Sequence, residues 1–176
     1  ILLIGRTGQL GSALIKYAAY FGFNVSAPTS AELNLERPIS MEEKILKDKP
    51  DILINVAAYN LVSKCEEEPE RAMKINFEAV ARLAKICREA KIKFITFSTD
   101  YVFDGEKGAP YPEEDKTNPL QVYGISKLAG ERAALNLYPD ETYIIRTSGL
   151  YGGKVGSPQK GNFVVNLLKE AAEKNE

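Results

Sequence analysis

Three glycines set between an apolar run and a helical pattern constrain this chain more than any other feature. Ile1-Leu2-Leu3-Ile4 is apolar without a break, as suits a strand buried on both faces of a parallel sheet. Gly5-Arg6-Thr7-Gly8-Gln9-Leu10-Gly11 follows at once. From there apolar residues recur at Leu10, Ala13, Leu14, Tyr17, Ala18 and Phe21, the helical period, until Gly22 closes the segment. A strand that turns this quickly into a helix needs one glycine for the tight turn. A second lets backbone approach a ligand, and a third lets helix and strand pack closely. The helix N-terminus then offers unpaired N–H groups and the positive end of its dipole to phosphates. Glycines at this spacing also serve ordinary strand–helix turns, so the place at the head of a βαβ unit is what favours binding. The whole loop, Gly5, Arg6, Thr7, Gly8, Gln9, Leu10 and Gly11, is expected to cradle a pyrophosphate.

The rest of the chain continues the alternation. Short strands are expected at residues 23–27, 51–58, 93–98 and 142–147. Helices are expected at residues 38–49, between two prolines, at 69–90, at 119–137, and from Asn162 onward. Ala72, Ile75, Ala79, Leu83 and Ile86 form the apolar stripe of the long helix. The implied fold class is α/β, a doubly wound parallel sheet of the Rossmann type. Residues 105–116, with two prolines, two glycines and several charges, form a surface loop. The chain has 176 residues, and residues 1–150 are expected to form one dinucleotide-binding domain. Residues 151–176 are expected to begin a second, substrate-binding portion. The start without Met and the end within a helical pattern lead us to expect further residues at both termini.

Composition removes several classes of function. Lys and Arg total 23 and Asp and Glu 24, a balance that gives no reason to expect nucleic acid or an anionic membrane as partner. No apolar run approaches the roughly 20 residues of a membrane span, and the cytoplasm is the expected location. There is no histidine, which excludes Ser-His-Asp and Cys-His catalysis and His-ligated zinc within this segment. Cys65 and Cys87 are too few for a disulfide scaffold or a metal site of usual spacing, and no metal ligands are assigned. Acid–base chemistry therefore falls to Tyr, Lys, Asp or Glu.

Tyr123-Gly124-Ile125-Ser126-Lys127 puts a phenol and an ammonium one helical turn apart, on one face if the segment is helical. A cation beside a phenol favours its ionised form, and such a phenol can protonate a carbonyl oxygen as hydride reaches the carbon. Lys127 can equally pair with Glu131 one turn further on. Thr99 and Asp100 stand at the carboxyl end of the fourth expected strand, where open α/β sheets bind ligands. Small residues at Ala57 and Ala58, before Tyr59, would let a cofactor lie flat. The second strand ends in Asn24-Val25-Ser26-Ala27-Pro28 without the acidic residue that grips an NAD ribose. Arg6 can meet a 2′-phosphate or can be a solvated loop arginine. NADPH is accordingly favoured slightly over NADH.

Together these residues resemble the extended short-chain dehydrogenase/reductases and, within them, the dTDP-4-dehydrorhamnose reductase family. The likeness runs from Ile1 to about Asn166 and is most specific in STDYVFDG at residues 98–105 and PY-E-D at 110–115. It extends to NPLQVYGISKLAGE at 118–131, IIRTSGLYG at 144–152, NVAAY at 55–59 and Asn162-Phe163. The resemblance implies a catalytic set of Thr99, Tyr123 and Lys127. Tyr123 would be the general acid, Lys127 would bind the nicotinamide ribose and keep the phenol acidic, and Thr99 would orient the keto oxygen. Asn34, Leu35, Ala57, Ala58 and Tyr59 would join the glycine loop around the cofactor. Asp100, Tyr101 and Ser148 would face a dTDP-sugar, with Arg146 to Ser148 beside the nicotinamide.

The implied reaction is NAD(P)H-dependent reduction of the 4-keto group of dTDP-4-dehydro-L-rhamnose, for polysaccharide biosynthesis. A homodimer, and a magnesium ion held outside these residues, are also implied. The sequence departs from the family at Gly149, often Trp, at Asn34, usually acidic, and at Ser63, often Asp. Two alternatives stay open. One is another sugar-nucleotide reductase, epimerase or dehydratase of the superfamily. The other is a cofactor-binding regulatory subunit without turnover, related to that of methionine adenosyltransferase.

Overall fold

The computed structural model describes residues 1–151 and 163–173. Its centre is a parallel sheet of β1 (Leu2–Ile4), β2 (Ile52–Asn55), β3 (Lys93–Thr99) and β4 (Thr142–Thr147), in the order β1-β2-β3-β4. The helices are α1 (Gln9–Tyr20), α2 (Pro38–Asp48), α3 (Val62–Glu67), α4 (Pro69–Met73), α5 (Ala79–Ala90), α6 (Val122–Leu137) and α7 (Phe163–Glu173). After α1 the chain returns to the outer edge of β1, where Ser26 pairs with Leu2. It then crosses to the other side of β1 to form β2. This reversal makes the sheet doubly wound, and the crevice between the loops after β1 and β2 is the place where such sheets bind ligands.

The strand expected at residues 23–27 is reduced to that one bridge. Its backbone groups are engaged elsewhere: Phe23 N–H donates to the Ala18 carbonyl (2.9 Å), and the Asn24 carbonyl accepts from the Ile1 amine (2.8 Å). The Ala27 carbonyl accepts from Arg6 (3.0 Å). Ser26 is left to exchange both bonds with β1, through the Ile1 carbonyl (2.9 Å) and Leu3 N–H (2.8 Å).

Strand alternation divides the sheet into two faces. Leu2, Ile4, Leu53, Phe94 and Ile144 meet Met41 and Ile45 of α2, Leu83, Ala84 and Cys87 of α5, and Ala134 of α6, in one core. Helix α1 lies on the opposite face, where Leu14, Tyr17 and Ala18 sit beside Leu3 and Ile54. Toward the carboxyl ends of the strands the first face turns polar. Asn55, Thr96 and Ser98 are buried there against Asn76, Ser126, Lys127 and Glu131 from the helical layer.

Three further elements differ from the sequence reading. The helix expected at residues 69–90 contains a π turn over Lys74–Glu78 between α4 and α5. Helix α3 is additional to the expected elements. Helix α6 begins at Val122 rather than Pro119, because Gln121 is extended and Asn118 N–H is tied to the Val102 carbonyl (2.9 Å). The expected start at Asn162 and most of residues 151–176 lie outside the described residues. No helix among the described residues is long and apolar enough to cross a membrane.

Candidate active site

The glycine loop is built as a cradle. Gly5 adopts a positive φ of 101°, and a Cβ there would meet Ala57 N at 2.8 Å, so the loops after β1 and β2 touch at this point. A Cβ on Gly11 would lie 2.2 Å from the Gly5 carbonyl oxygen, which fixes how closely α1 approaches β1. Gly8 differs from both: its nearest neighbour would be the Gly5 carbonyl oxygen at 3.5 Å, so its open side is not filled by any of the described residues. Among the described residues, no side chain caps α1. The first N–H groups of the helix, from Gln9 and Leu10 onward, therefore face a space that suits a diphosphate. Arg6 bonds the Ala27 carbonyl and so stands at the edge of this cradle, on the side of the bridging segment.

Asn34 accepts Glu36 N–H through Oδ1 (2.8 Å), closing a turn, and Leu35 packs against the core. Ala57 N–H donates to Asn55 Oδ1 (3.2 Å), while Asn55 Nδ2 donates to Thr96 (3.3 Å), so β2 itself holds the start of the opposing wall. The end of that wall is clamped from the π turn. Asn76 Oδ1 accepts Tyr59 N–H (2.9 Å), and Asn76 Nδ2 donates to the Tyr59 carbonyl (2.9 Å) and to Ser126 Oγ (3.0 Å). Ser126 donates in turn to the Tyr123 carbonyl (2.8 Å). Asn76, which the sequence reading passed over, thereby joins the cofactor wall to α6. Its one signal in the sequence is an amide between Ile75 and Phe77 on an apolar stripe. Residue Gly130 allows the approach, since a Cβ there would meet the Asn76 carbonyl oxygen at 2.2 Å.

The second half of the site sits where β3 ends. Thr99 accepts Tyr101 N–H (3.2 Å) and donates to Asp100 Oδ1 (3.0 Å), starting a 3-10 turn over Asp100–Val102. That turn rests directly on α6 at Gly124, where a Cβ would lie 2.2 Å from the Tyr101 carbonyl oxygen. The contact brings Tyr123 beside Thr99 and edge-on to Tyr101, with ring centroids 5.7 Å apart. Burial pushes the Tyr123 phenol up, and the hydrogen bond with Thr99 pulls it down. The neighbour that favours its ionised form is thus Thr99. Lys127, one turn along α6, is 5% exposed, and its Nζ donates to the Phe97 carbonyl on β3 (2.6 Å). Burial lowers its pKa to about 8, while the Glu131 carboxylate acts in the opposite sense. Tyr123 and Thr99 are brought together, and Lys127 lies on the same helix face beneath them.

Asp100, Tyr101 and Ser148 line a cleft of about 570 Å³ together with Phe103, Tyr111 and Arg146. The loop from Phe103 to Asp115 forms its wall and is tied to itself. Asp104 accepts from the Tyr111 hydroxyl (2.7 Å), Glu106 N–H (3.1 Å) and Asn118 (3.1 Å), which holds its carboxyl below the usual range. Phe103 and Tyr111 stack at 4.4 Å, and the Arg146 guanidinium lies 5.2 Å over the Phe103 ring. A Cβ at Gly149, next to Ser148, would meet nothing within 4 Å among the described residues. Among the described residues, no group of three or more His, Cys, Asp and Glu is placed to hold a metal ion.

Comparison with known proteins agrees with this fold. Over 180 residues the chain is 41% identical to a dTDP-4-dehydrorhamnose reductase of Escherichia coli (strain K12), covering all of this chain and 58% of that one. It is 37% identical to one from Streptomyces griseus, over 99% of this chain and 56% of the relative. The crystal structure of a dTDP-4-dehydrorhamnose reductase from Clostridium acetobutylicum superimposes with a TM-score of 0.89 at 34% identity, covering 98% of this chain and 59% of that one. That of the Bacillus anthracis enzyme, in complex with NADP, superimposes with a TM-score of 0.88 at 29% identity, covering 98% and 59%. The chain therefore spans somewhat more than half the length of the relatives it matches. With the model of the RmlD substrate binding domain matching residues 1–176, the chain belongs to that family.

Proposed function

We propose that the protein reduces the 4-keto group of dTDP-4-dehydro-L-rhamnose to dTDP-L-rhamnose, using NADPH or NADH. The observation that carries this reading is the buried Tyr123 phenol held beside Thr99 at the carboxyl end of β3, together with the open Gly8 cradle after β1. The cradle fits a dinucleotide by the chemistry of its donors: backbone N–H groups, a helix N-terminus, and the small walls Ala57 and Ala58. When bound, the nicotinamide supplies the hydride. Gly5 to Gly11 hold the diphosphate, and Tyr59, fixed by Asn76, closes the side of the crevice. Asn34 and Leu35 border the adenosine end.

Tyr123 donates its phenolic proton to the keto oxygen as that oxygen gains charge. Burial suits it for this, since the pushed-up phenol keeps its proton at neutral pH until the transfer. Thr99 turns the hydroxyl hydrogen it now gives Asp100 Oδ1 toward that keto oxygen and, once the proton has passed, toward the phenolate. Lys127 holds the nicotinamide ribose, while the neighbour that favours the phenolate is Thr99. Asp100, Tyr101 and Ser148 orient the sugar in the cleft. Arg6, already at the cradle's edge, meets a 2′-phosphate and tilts the choice toward NADPH. The same reading makes the protein a cytoplasmic homodimer.

The test is NADPH oxidation by the full-length protein with dTDP-4-dehydro-L-rhamnose, beside Tyr123→Phe. Loss of the acid should lower kcat about a hundredfold or more while cofactor affinity stays within twofold. A wild-type protein that binds NADPH yet turns over nothing would instead support the regulatory-subunit reading.

A further inference from the structure

Lys127 is an ammonium buried at 5% exposure, and among the described residues its one direct partner is a carbonyl, that of Phe97. A neutral acceptor does not balance a buried charge, so the balance must come from a neighbour. The titratable and charged groups around this stretch of α6 are Tyr123 and Glu131 on the helix itself, Arg146 on β4, Cys65 on α3 and Asp100 after β3. Strand β3 adds the hydroxyls of Ser98 and Thr99, and the π turn adds the amide of Asn76. Glu131 stands one turn after Lys127 and is itself 3% exposed. Its carboxylate is gripped on both oxygens by Arg146, with Nη2 at 2.7 Å and Nε at 3.0 and 3.2 Å. Arg146 is placed by the sheet register, opposite Ser98 and so next to the Phe97 carbonyl that Lys127 uses. Its remaining Nη1 donates to the Glu113 carbonyl in the cleft wall (3.2 Å).

From this arrangement we infer that Glu131 is a positioning residue for Lys127, an anion locked in place by Arg146 that keeps the buried ammonium charged and ready for the cofactor ribose. The i, i+4 spacing on α6 brings the carboxylate to the lysine's side of the helix, and the guanidinium prevents it from swinging out to solvent. Arg146 also touches the Phe103–Tyr111 stack, so the same group that orients Glu131 sets the cleft wall. The inference rests on the reading of Lys127 as a cofactor-binding residue, yet its central claim concerns the lysine's protonation and is measurable without cofactor.

The experiment follows the Lys127 side chain by NMR in full-length protein carrying ¹³C-lysine, with Lys127→Arg to assign its resonance. Glu131→Gln should move the lysine's titration midpoint down by on the order of one pH unit. Glu131→Asp, which keeps the charge, should restore it. The alkaline limb of kcat should move with the NMR midpoint. If Glu131→Gln alone does not fold, the neutral pair Glu131→Gln/Arg146→Gln leaves no stranded charge, and it should also titrate low. An unchanged midpoint in Glu131→Gln, or in the double variant, overturns the inference. Absence of turnover in wild type with the midpoint shifting as expected would overturn the functional reading instead.

Discussion

The glycines of the first loop divide three tasks among residues that look alike in sequence. At Gly11 any side chain would collide with the backbone of Gly5, and neither helix nor strand can yield without parting from the other. At Gly8 the room exists, and what a methyl group would obstruct is the diphosphate. Gly11→Ala should therefore cost about 2–4 kcal/mol in urea unfolding. Gly8→Ala should stay within about 0.5 kcal/mol of wild type while its NADPH affinity, measured by fluorescence titration, falls at least tenfold. Equal destabilisation by both would mean that Gly8 is packed like its neighbour. Arg6 offers a second contrast. Its guanidinium is exposed and bonded to one carbonyl, so Arg6→Ala should leave stability unchanged. The KM for NADPH should rise several-fold and that for NADH should not. A parallel rise in both would detach Arg6 from the 2′-phosphate.

At the level of elements, central strands were readable and boundaries set by tertiary contact were not. β2 shows itself as the apolar run ILIN, while β3 (KFITFST) and the edge strand β4 (TYIIRT) show themselves by β-branched and aromatic residues alternating with polar ones. The segment at residues 23–27 looks the same, yet its backbone bonds are claimed by the end of α1, by the chain's first residue and by Arg6. No local pattern reveals that competition. The start of α6 is similar. Its cap comes from α3, where Glu66 Oε1 accepts Val122 N–H at 2.8 Å across 56 residues of sequence. The π turn is hidden for a related reason: it presents Asn76 inward, and the side chain's partners Tyr59 and Ser126 lie 17 and 50 residues away. The phenol, the hydroxyl and the glycine cradle were legible because their chemistry restricts residue type. The Asn76 clamp was not, because an amide inside a helix has many uses. Asn76→Ala strips partners from both backbone groups of Tyr59, and it should cost about 2–3 kcal/mol in urea unfolding. Cofactor affinity should fall with it, while Gln9→Ala, outside the clamp, should leave stability alone. Unaltered NADPH binding in Asn76→Ala would separate the clamp from the cofactor wall.

Across the whole molecule, two kinds of buried titratable group pull stability in opposite directions with pH. Lys127 titrates at about 8 in the folded protein against an ordinary 10.5. Above pH 8 the folded chain has begun to release a proton that the unfolded chain keeps, so stability rises with pH. Cys87 behaves in reverse: burial pushes its thiol up to about 12 from an ordinary 9.0, and burial pushes Cys65 up as well. From pH 9 upward the unfolded thiols ionise first, and stability falls. The two trends leave a maximum near pH 9, with a net gain of only about 0.5 kcal/mol between pH 8 and 9. Urea unfolding at half-unit steps from pH 7 to 10 should trace this maximum. Lys127→Met should erase the rising side and raise stability at pH 7, since a buried ammonium lowers it there. A rising side that persists without Lys127 would show that the lysine is not the source, and that its burial in the folded chain does not displace its proton.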